Sequence, residues 1–249
     1  MLHCGIGRRL IPVLLLVAVL CGCAGKAVRE RAMSGSATFR PLTTAERLVA
    51  TARINLLMDE KQYPLRTALI LQQPAYLRLE VLPVIGTPDF FLSATPDALR
   101  AFFPSRGEFY TGKPTAEHLT HFLPWDLSVE DVVLLLTGAF PFREDSPSSA
   151  GSLWRERKDA AGNVQTVWID REGRPDKVIC RNVDGADIYS VGYEDYDGEN
   201  RLAGKITLRW ATSGASLTVR YDDWKIEPAT DTAVFNLPYP PGAKIISLD

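Results

Sequence analysis

Cysteine and histidine are scarce in this 249-residue chain: there are four of the first and three of the second. Cys4, Cys21 and Cys23 fall within the first 23 residues, and only Cys180 lies beyond them. A disulfide framework in the rest of the chain is therefore excluded. An excess of one charge is also lacking: 28 basic residues face 30 acidic ones, for a net charge of −2. No basic patch argues for nucleic acid. Beyond the N-terminal region there is no Gly-x-Ser-x-Gly elbow, phosphate-cradling loop or dinucleotide fingerprint. No internal repeat is evident. The one long apolar run, Leu10 to Leu20, falls well short of the roughly twenty residues that a spanning helix needs.

That run has the layout of a secretory signal. Arg8 and Arg9 precede it, and Leu20-Cys21-Gly22-Cys23 ends it. The last four residues resemble the lipobox of bacterial lipoproteins, with an aliphatic residue, two small ones and then the cysteine. The resemblance implies a signal peptide over residues 1–22, cleavage before Cys23 and diacylglycerol on its thiol. Each buried methylene adds about 0.8 kcal/mol, so two or three acyl chains would hold the protein firmly. Ala24, rather than Asp, follows the cysteine, and in Gram-negative lipoproteins this implies sorting to the outer membrane, facing the periplasm. An ordinary signal cut near Ala24 and a retained membrane helix are the alternatives. Removing Arg8 and Arg9 leaves 26 basic residues and a net charge near −4.

Residues 23–41 read as the lipidated N-terminus and a polar tether, and residues 42–249 as one domain. Thr43 to Ala52 has helical or strand potential, and Thr44 is a possible cap. From Arg53 the pattern becomes β. Thr67–Leu71 and Tyr76–Leu82 flank a turn at Gln72-Gln73-Pro74-Ala75. Leu77, Leu79 and Val81 share one face of the second of these, opposite Tyr76, Arg78 and Glu80. Asp89–Ala94, Leu99–Phe103 and Glu108–Thr111 follow as short strands. Thr115–Leu123 and Ser128–Thr137 read as helices. The second is apolar nearly all round at Val132–Leu136, which argues for burial, and Gly138 ends it. Pro141–Gly151 reads as a loop.

Six more strands follow at regular spacing: Ser152–Lys158, Val164–Asp170, Asp176–Arg181, Ile188–Tyr196, Gly204–Trp210 and Ser216–Trp224. Glycine-bearing turns separate them. Ile206, Leu208 and Trp210 alternate with Lys205, Thr207 and Arg209, the pattern of a sheet buried on one face. About a dozen such strands should curl into a barrel-like sheet, with the two helices covering its open side. At about six residues each, they are shorter than the roughly ten of a spanning strand, which disfavours an outer-membrane barrel.

The order of these features resembles the LolA/LolB lipoprotein-carrier superfamily, and within it the LolB-like outer-membrane lipoproteins. Leu77-Arg78-Leu79-Glu80-Val81-Leu82-Pro83-Val84-Ile85-Gly86-Thr87-Pro88 looks like the segment that carries LolB's protruding hydrophobic loop. Asp231-Thr232-Ala233-Val234-Phe235-Asn236-Leu237-Pro238, followed by Pro241-Gly242-Ala243-Lys244-Ile245, resembles the closing Phe-x-x-Pro…Gly strand. Trp-rich first strands are missing, which sets the chain apart from proteobacterial LolB. The resemblance implies a mainly β fold, a half-open antiparallel β-barrel with an apolar cavity. It implies acylated lipoprotein or phospholipid as cargo, a LolA-like periplasmic carrier as donor, and no cofactor. Pro83, Val84, Ile85 and Gly86 become the candidate membrane-delivery loop. Leu77, Leu79, Val81, Phe91, Leu135, Trp168, Leu208 and Val219 become the candidate cavity lining. A monomer is expected.

Other readings stand beside this one. Val84 and Ile85 would fold back onto the sheet in an ordinary loop. The apolar candidates, with Trp154, Trp210 and Trp224, would fill an ordinary core. Cys180, in an alternating run, reads as a buried small hydrophobe. His118 and His121 lie three apart without a recognisable third metal ligand. Asp195, Asp197 and Glu199 around Gly198 are a faint calcium-loop pattern or a hairpin turn. The function is then that of an acyl-chain carrier, a lipid-anchored protein-binding subunit of an envelope complex, or an enzyme.

Overall fold

The computed structural model describes residues 39–123, 126–141, 154–159, 161–196, 198 and 201–249. The expected signal peptide, Cys23 and most of the tether lie outside these residues, as do nearly all of the Pro141–Gly151 loop, Asp197 and Glu199.

The central strand is β1 (Glu46–Met58). Leu48, Ala50, Ala52 and Ile54 alternate into the core along it. The short helix considered for Thr43–Ala52 does not form, because period-2 burial is rewarded by pairing on both edges of β1. An isolated short helix, by contrast, pays a nucleation cost with little return. β2 (Lys61–Gln72) returns through Asp59 and Glu60, both left-handed at φ 50° and 62°. These are the dihedrals of a mirror-image two-residue hairpin. The pair lacks the usual glycine, which is why sequence pattern detects β2 only from Thr67.

β3 (Tyr76–Leu82), β4 (Phe90–Ala94), β5 (Leu99–Phe103) and β6 (Glu108–Gly112) continue as a meander. Next come α1 (Ala116–Leu119) and α2 (Val129–Thr137). The second meander is β7 (Trp154–Lys158), β8 (Val164–Ile169), β9 (Pro175–Arg181), β10 (Asp187–Tyr196), β11 (Ala203–Trp210) and β12 (Ser216–Pro228). A 3-10 turn at Ala233–Phe235 leads to β13 (Lys244–Ser247).

All of these strands join one 13-stranded sheet, ordered β13-β6-β5-β4-β3-β2-β1-β12-β11-β10-β9-β8-β7. Each pairing is antiparallel except β13 on β6. The sheet ends at β13 and β7 and does not close on itself. The fold is mainly β, a large open sheet that does not close into a barrel, with two helices among the described residues.

The expectation of strands about six residues long is wrong at the centre, where β1, β2 and β12 run 13, 12 and 13 residues. The outer face of β1 and β12 nonetheless carries the ion pairs Arg47–Glu227 and Arg53–Asp222, and that of neighbouring β3 carries Arg78–Glu80. Charges so placed are unsuited to lipid contact. The apolar face turns inward.

The helices lie against that inner face. Ser128 caps α2: its Oγ accepts from Asp131 N at 3.0 Å and donates to Asp131 Oδ2 at 2.7 Å. Gly138 ends it at φ 66°, with its N–H on Leu134 O. Val129 and every residue from Asp131 to Thr137 is buried. α1 is shorter than the expected Thr115–Leu123. After one turn, His121 N and Phe122 N bond three residues back, to His118 O and Leu119 O. Pro124, next in sequence, disfavours helical backbone at Leu123.

The C-terminal segment crosses the outer face of β3–β5 before adding β13 at the edge. Phe235 is 1% exposed, with its ring 5.3 Å from that of Tyr76. Arg78 Nη1 donates to Val234 O at 2.7 Å, and Arg100 Nη1 to Asn236 Oδ1 at 2.6 Å. Ser93 Oγ donates to Phe235 O.

Candidate functional site: an apolar cavity beneath the helices

A cavity of about 140 Å³ lies between the inner face of the sheet and α2. Its sheet wall is Ile54 and Leu56 of β1, Leu65, Thr67 and Leu69 of β2, Leu77, Leu79 and Val81 of β3, and Phe90 of β4. Leu208 of β11 and Leu217 and Val219 of β12 complete it. The helical cover is Val132, Leu135 and Leu136, with Phe122, Leu123 and Leu127 from the approach to α2. Thr67 is the one polar residue in this set, and its Oγ1 donates to Ala52 O at 3.3 Å. Leu65, 37% exposed, is the most exposed of the lining residues.

The cover is fixed by hydrogen bonds from the opposite wall. The last carbonyls of a helix have no partner within it. Here Tyr193 Oη donates to Leu135 O at 3.0 Å and Tyr221 Oη to Leu136 O at 2.8 Å. Burial pushes both phenols above their ordinary range. At the other end of α2, Gln165 Nε2 reaches Asp131 Oδ1 at 3.1 Å and Tyr189 Oη at 2.7 Å. Cys180, fully buried, sits opposite both Gln165 and Tyr189 in the sheet register. Burial raises its thiol pKa to about 11.

Leu77, Leu79, Val81, Leu135, Leu208 and Val219 of the expected lining all reach this cavity. Phe91 and Trp168 do not. In the ladder, Val81 pairs with Phe90 and Leu79 with Leu92, so strand alternation sends Phe91 to the outer face. There its ring stacks 6.3 Å from that of Phe102. In β8, Gln165 and Val167 are the residues buried toward α2, which turns Trp168 outward. Its ring lies 5.8 Å from Lys177 Nζ. Sequence reading also missed Ile54, Leu56 and Leu65. The first two continue the alternation of Leu48, Ala50 and Ala52 and were legible from it. Tyr193 and Tyr221 gave no signal, because their partners are backbone atoms far away in sequence.

The loop Pro83–Gly86 joins two cavity walls, and Val81 and Phe90, the last pair beneath it, both line the cavity. Val84 is 101% exposed and Ile85 90%, so neither folds back onto the sheet. Gly86, at φ 102°, takes a backbone conformation that other residues rarely adopt.

Candidate chemistry elsewhere resolves into structure. His118 Nδ1 lies 3.0 Å from Lys113 O, beside the C-terminus. Asp195 Oδ2 accepts from Arg220 at 3.2 Å. Among the described residues no group of His, Cys, Asp and Glu is arranged to hold a metal ion.

No protein-family model matches the chain, and no curated protein matches it. Solved structures do. A domain from Vibrio parahaemolyticus assigned to outer membrane lipoprotein sorting aligns at TM-score 0.52 and 15% identity, covering 78% of this chain and 90% of its own. A LolA superfamily protein from Nitrosomonas europaea aligns at TM-score 0.52 and 16% identity, covering 80% and 94%. A DUF1329 family protein from Desulfovibrio piger aligns at TM-score 0.54 and 12% identity, covering 78% and 90%. At these identities the likeness is one of fold. The open sheet and its helical cover thus have a fold similar to that of these proteins, a LolA superfamily member among them.

Proposed function

We propose that this protein is a lipid-anchored envelope carrier that takes acyl chains of lipoproteins or lipids into the cavity beneath α2. The observation that carries this reading is the cavity itself: among the described residues eighteen line it, and of these only Thr67 is polar, in a fold similar to that of a lipoprotein-sorting domain. An acyl chain in water is costly, at about 25 cal/mol per Å² of apolar surface, and an apolar lining removes that cost without chemistry. A receiver that binds better than the donor then takes cargo spontaneously.

The finer reading is LolB-like. Lipid on Cys23 would hold the protein at the outer membrane, a LolA-like carrier would hand over acylated cargo, and Val84 and Ile85 would enter the membrane at the point of delivery. Binding of this kind requires no catalytic residue.

Native mass spectrometry with lipid extraction, on the mature chain from Ala24 onward, tests the reading. Copurifying phospholipid or acylated peptide supports it. A clean apo mass, unchanged after incubation with a loaded lipoprotein carrier, overturns it in favour of a lipid-anchored protein-binding subunit.

A further inference from the structure

We propose that the β9–β10 hairpin, through Val183, is a second membrane contact, which together with Val84 and Ile85 sets one end of the sheet on a neutral lipid bilayer. This rests on the carrier reading above and adds an element to it.

Among the described residues, the three most exposed large hydrophobic side chains are Val84, Ile85 and Val183, the last at 78%. Strand directions put all three at one end of the sheet. β3 runs into the Pro83–Gly86 loop at the end where β2 begins. From there β1, β12, β11 and β10 alternate in direction, so the turn between β9 and β10 faces the same way. Tyr63 and Leu65, in the first half of β2, belong to that end too. The other two exposed members of this class lie at the β13 edge. Tyr239 has its ring 4.5 Å from that of Phe109, and Ile245 pairs with the same residue. Among the described residues, no turn at the opposite end exposes a large hydrophobic side chain. From β3 to β10 the sheet order takes five steps, about 24 Å along the sheet at about 4.8 Å a step.

The turn itself does not ask for a valine. Asn182 Oδ1 accepts from Asp184 N at 3.0 Å and Ala186 N at 2.8 Å, Gly185 N donates to Asn182 O at 3.0 Å, and Gly185 takes φ 84°. The β8–β9 turn, at the far end of the sheet, repeats this bond for bond. Asp170 Oδ1 accepts from Glu172 N at 3.0 Å and Arg174 N at 2.9 Å, Gly173 N donates to Asp170 O at 3.1 Å, and Gly173 takes φ 81°. There Arg171 holds the position of Val183. The Asn or Asp and the glycine make such a turn, and the residue after the first is free to vary. One backbone thus presents a cation at one end of the sheet and an apolar side chain at the other. Two apolar tips so far apart cannot share one pocket, whereas a plane touches both. Among the described residues, exposed Asp59, Glu60, Asp89 and Asp184 outnumber Lys61 and Arg106 around these turns, so neutral lipid suits this end better than anionic lipid. The chain enters at the other end, where Phe39 N donates to Glu172 O at 2.9 Å. Fully extended, residues 23–38 would reach at most about 55 Å. That exceeds the roughly 44 Å spanned by the 13 residues of β1, so an anchor on Cys23 allows the apolar end to face the bilayer.

The test uses the chain from Ala24 onward, held by an N-terminal hexahistidine tag on vesicles of phosphatidylcholine and phosphatidylethanolamine that contain a nickel-chelating lipid. Val183→Cys, Val84→Cys and Arg171→Cys each carry the same environment-sensitive fluorophore. All three positions are exposed, and Cys180 is buried out of reach of the label. Vesicles with brominated acyl chains are compared with unbrominated ones. Bromine should quench the labels at residues 183 and 84 at least about twofold more than the label at 171, since side chains at an interface sink roughly 5–10 Å into the headgroup and acyl boundary. Quenching at 84 but not at 183 overturns the inference and leaves the Val84–Ile85 loop in place. Quenching at neither overturns both and favours a protein partner for this end. Equal quenching at 171 and 183 shows contact driven by the label, and overturns the inference as well. With the label at residue 84, an added Val183→Asp should lower the quenching there, and an unchanged signal overturns the second contact.

Discussion

The phenolic hydroxyl of Tyr193 donates to the backbone carbonyl of Leu135 at 3.0 Å, joining β10 to the last turn of α2 across the interior. Tyr221 does the same from β12 for Leu136. The sheet thereby completes the helix that covers it. Tyr193→Phe leaves a buried carbonyl without a donor, which costs about 1–3 kcal/mol. Tyr221→Phe should cost a similar amount. Urea denaturation followed by tryptophan fluorescence measures both. A double variant no less stable than wild type would mean that the hydroxyls do not hold the helix.

Val84 and Ile85 touch nothing that folding needs. The double substitution Val84→Glu with Ile85→Glu should leave the melting temperature within a degree or two, since exposed changes usually fall within about 0.5 kcal/mol. It should leave cargo binding intact and impair delivery to membranes. Equal delivery by variant and wild type would remove the loop from the proposed mechanism.

The clamp made by the C-terminal segment predicts the reverse. Phe235 fills the outer face of the sheet against Tyr76. Phe235→Ala should destabilise the fold by about 3–5 kcal/mol. Binding per folded molecule should be unaffected, because the cavity lies on the other side of the sheet. Chemical denaturation and probe titration on the same sample separate the two effects.

Cys180 should be chemically silent while the protein is folded. Its thiol stays protonated until near pH 11, because burial opposes the thiolate. A thiol-reactive disulfide reagent at pH 8 should label the chain from Ala24 onward only after denaturation. Rapid labelling of the native protein would show that the β8–β10 wall opens.

Acid should loosen the start of β1. Burial works against the Glu46 carboxylate. Arg201, with Thr43 N and Oγ1, nevertheless holds its pKa below the ordinary 4.5. A carboxyl depressed on folding adds stability that is complete above its unfolded value and disappears as pH falls through the folded one. Stability of the wild type should therefore fall below about pH 4.5 by more than that of Glu46→Gln, measured by denaturant titration at each pH. Parallel pH profiles would show that the Arg201 pair contributes nothing.

Much of this architecture is legible in the order of residues. β3 and β5 fall where alternation and turn residues place them, and α2 lies between Ser128 and Gly138 because a cap and a left-handed glycine are local chemistry. The inward set Leu77, Leu79 and Val81 follows from a period of two. The hairpin at Asp59-Glu60 was hidden because the pair lacks the glycine that usually marks a mirror-image turn. Phe91 and Trp168 were misplaced for one reason: in Phe90-Phe91 and Val167-Trp168, both neighbours are apolar and alternation has no polar partner to orient it.

What the sequence by itself determined is local: which segments extend, which coil, where chain direction reverses, and which face of each strand is apolar. Those follow from sterics, capping and periodicity within a few residues. What only the tertiary structure decided is which of two apolar neighbours turns inward, that β1 pairs with both β2 and β12, and that a cavity remains where a packed core was the alternative. The pairing of β1 with β12 joins residues more than a hundred positions apart, as Ile54 with Val219. Such contacts depend on how the whole sheet curves around α2, which no local pattern encodes.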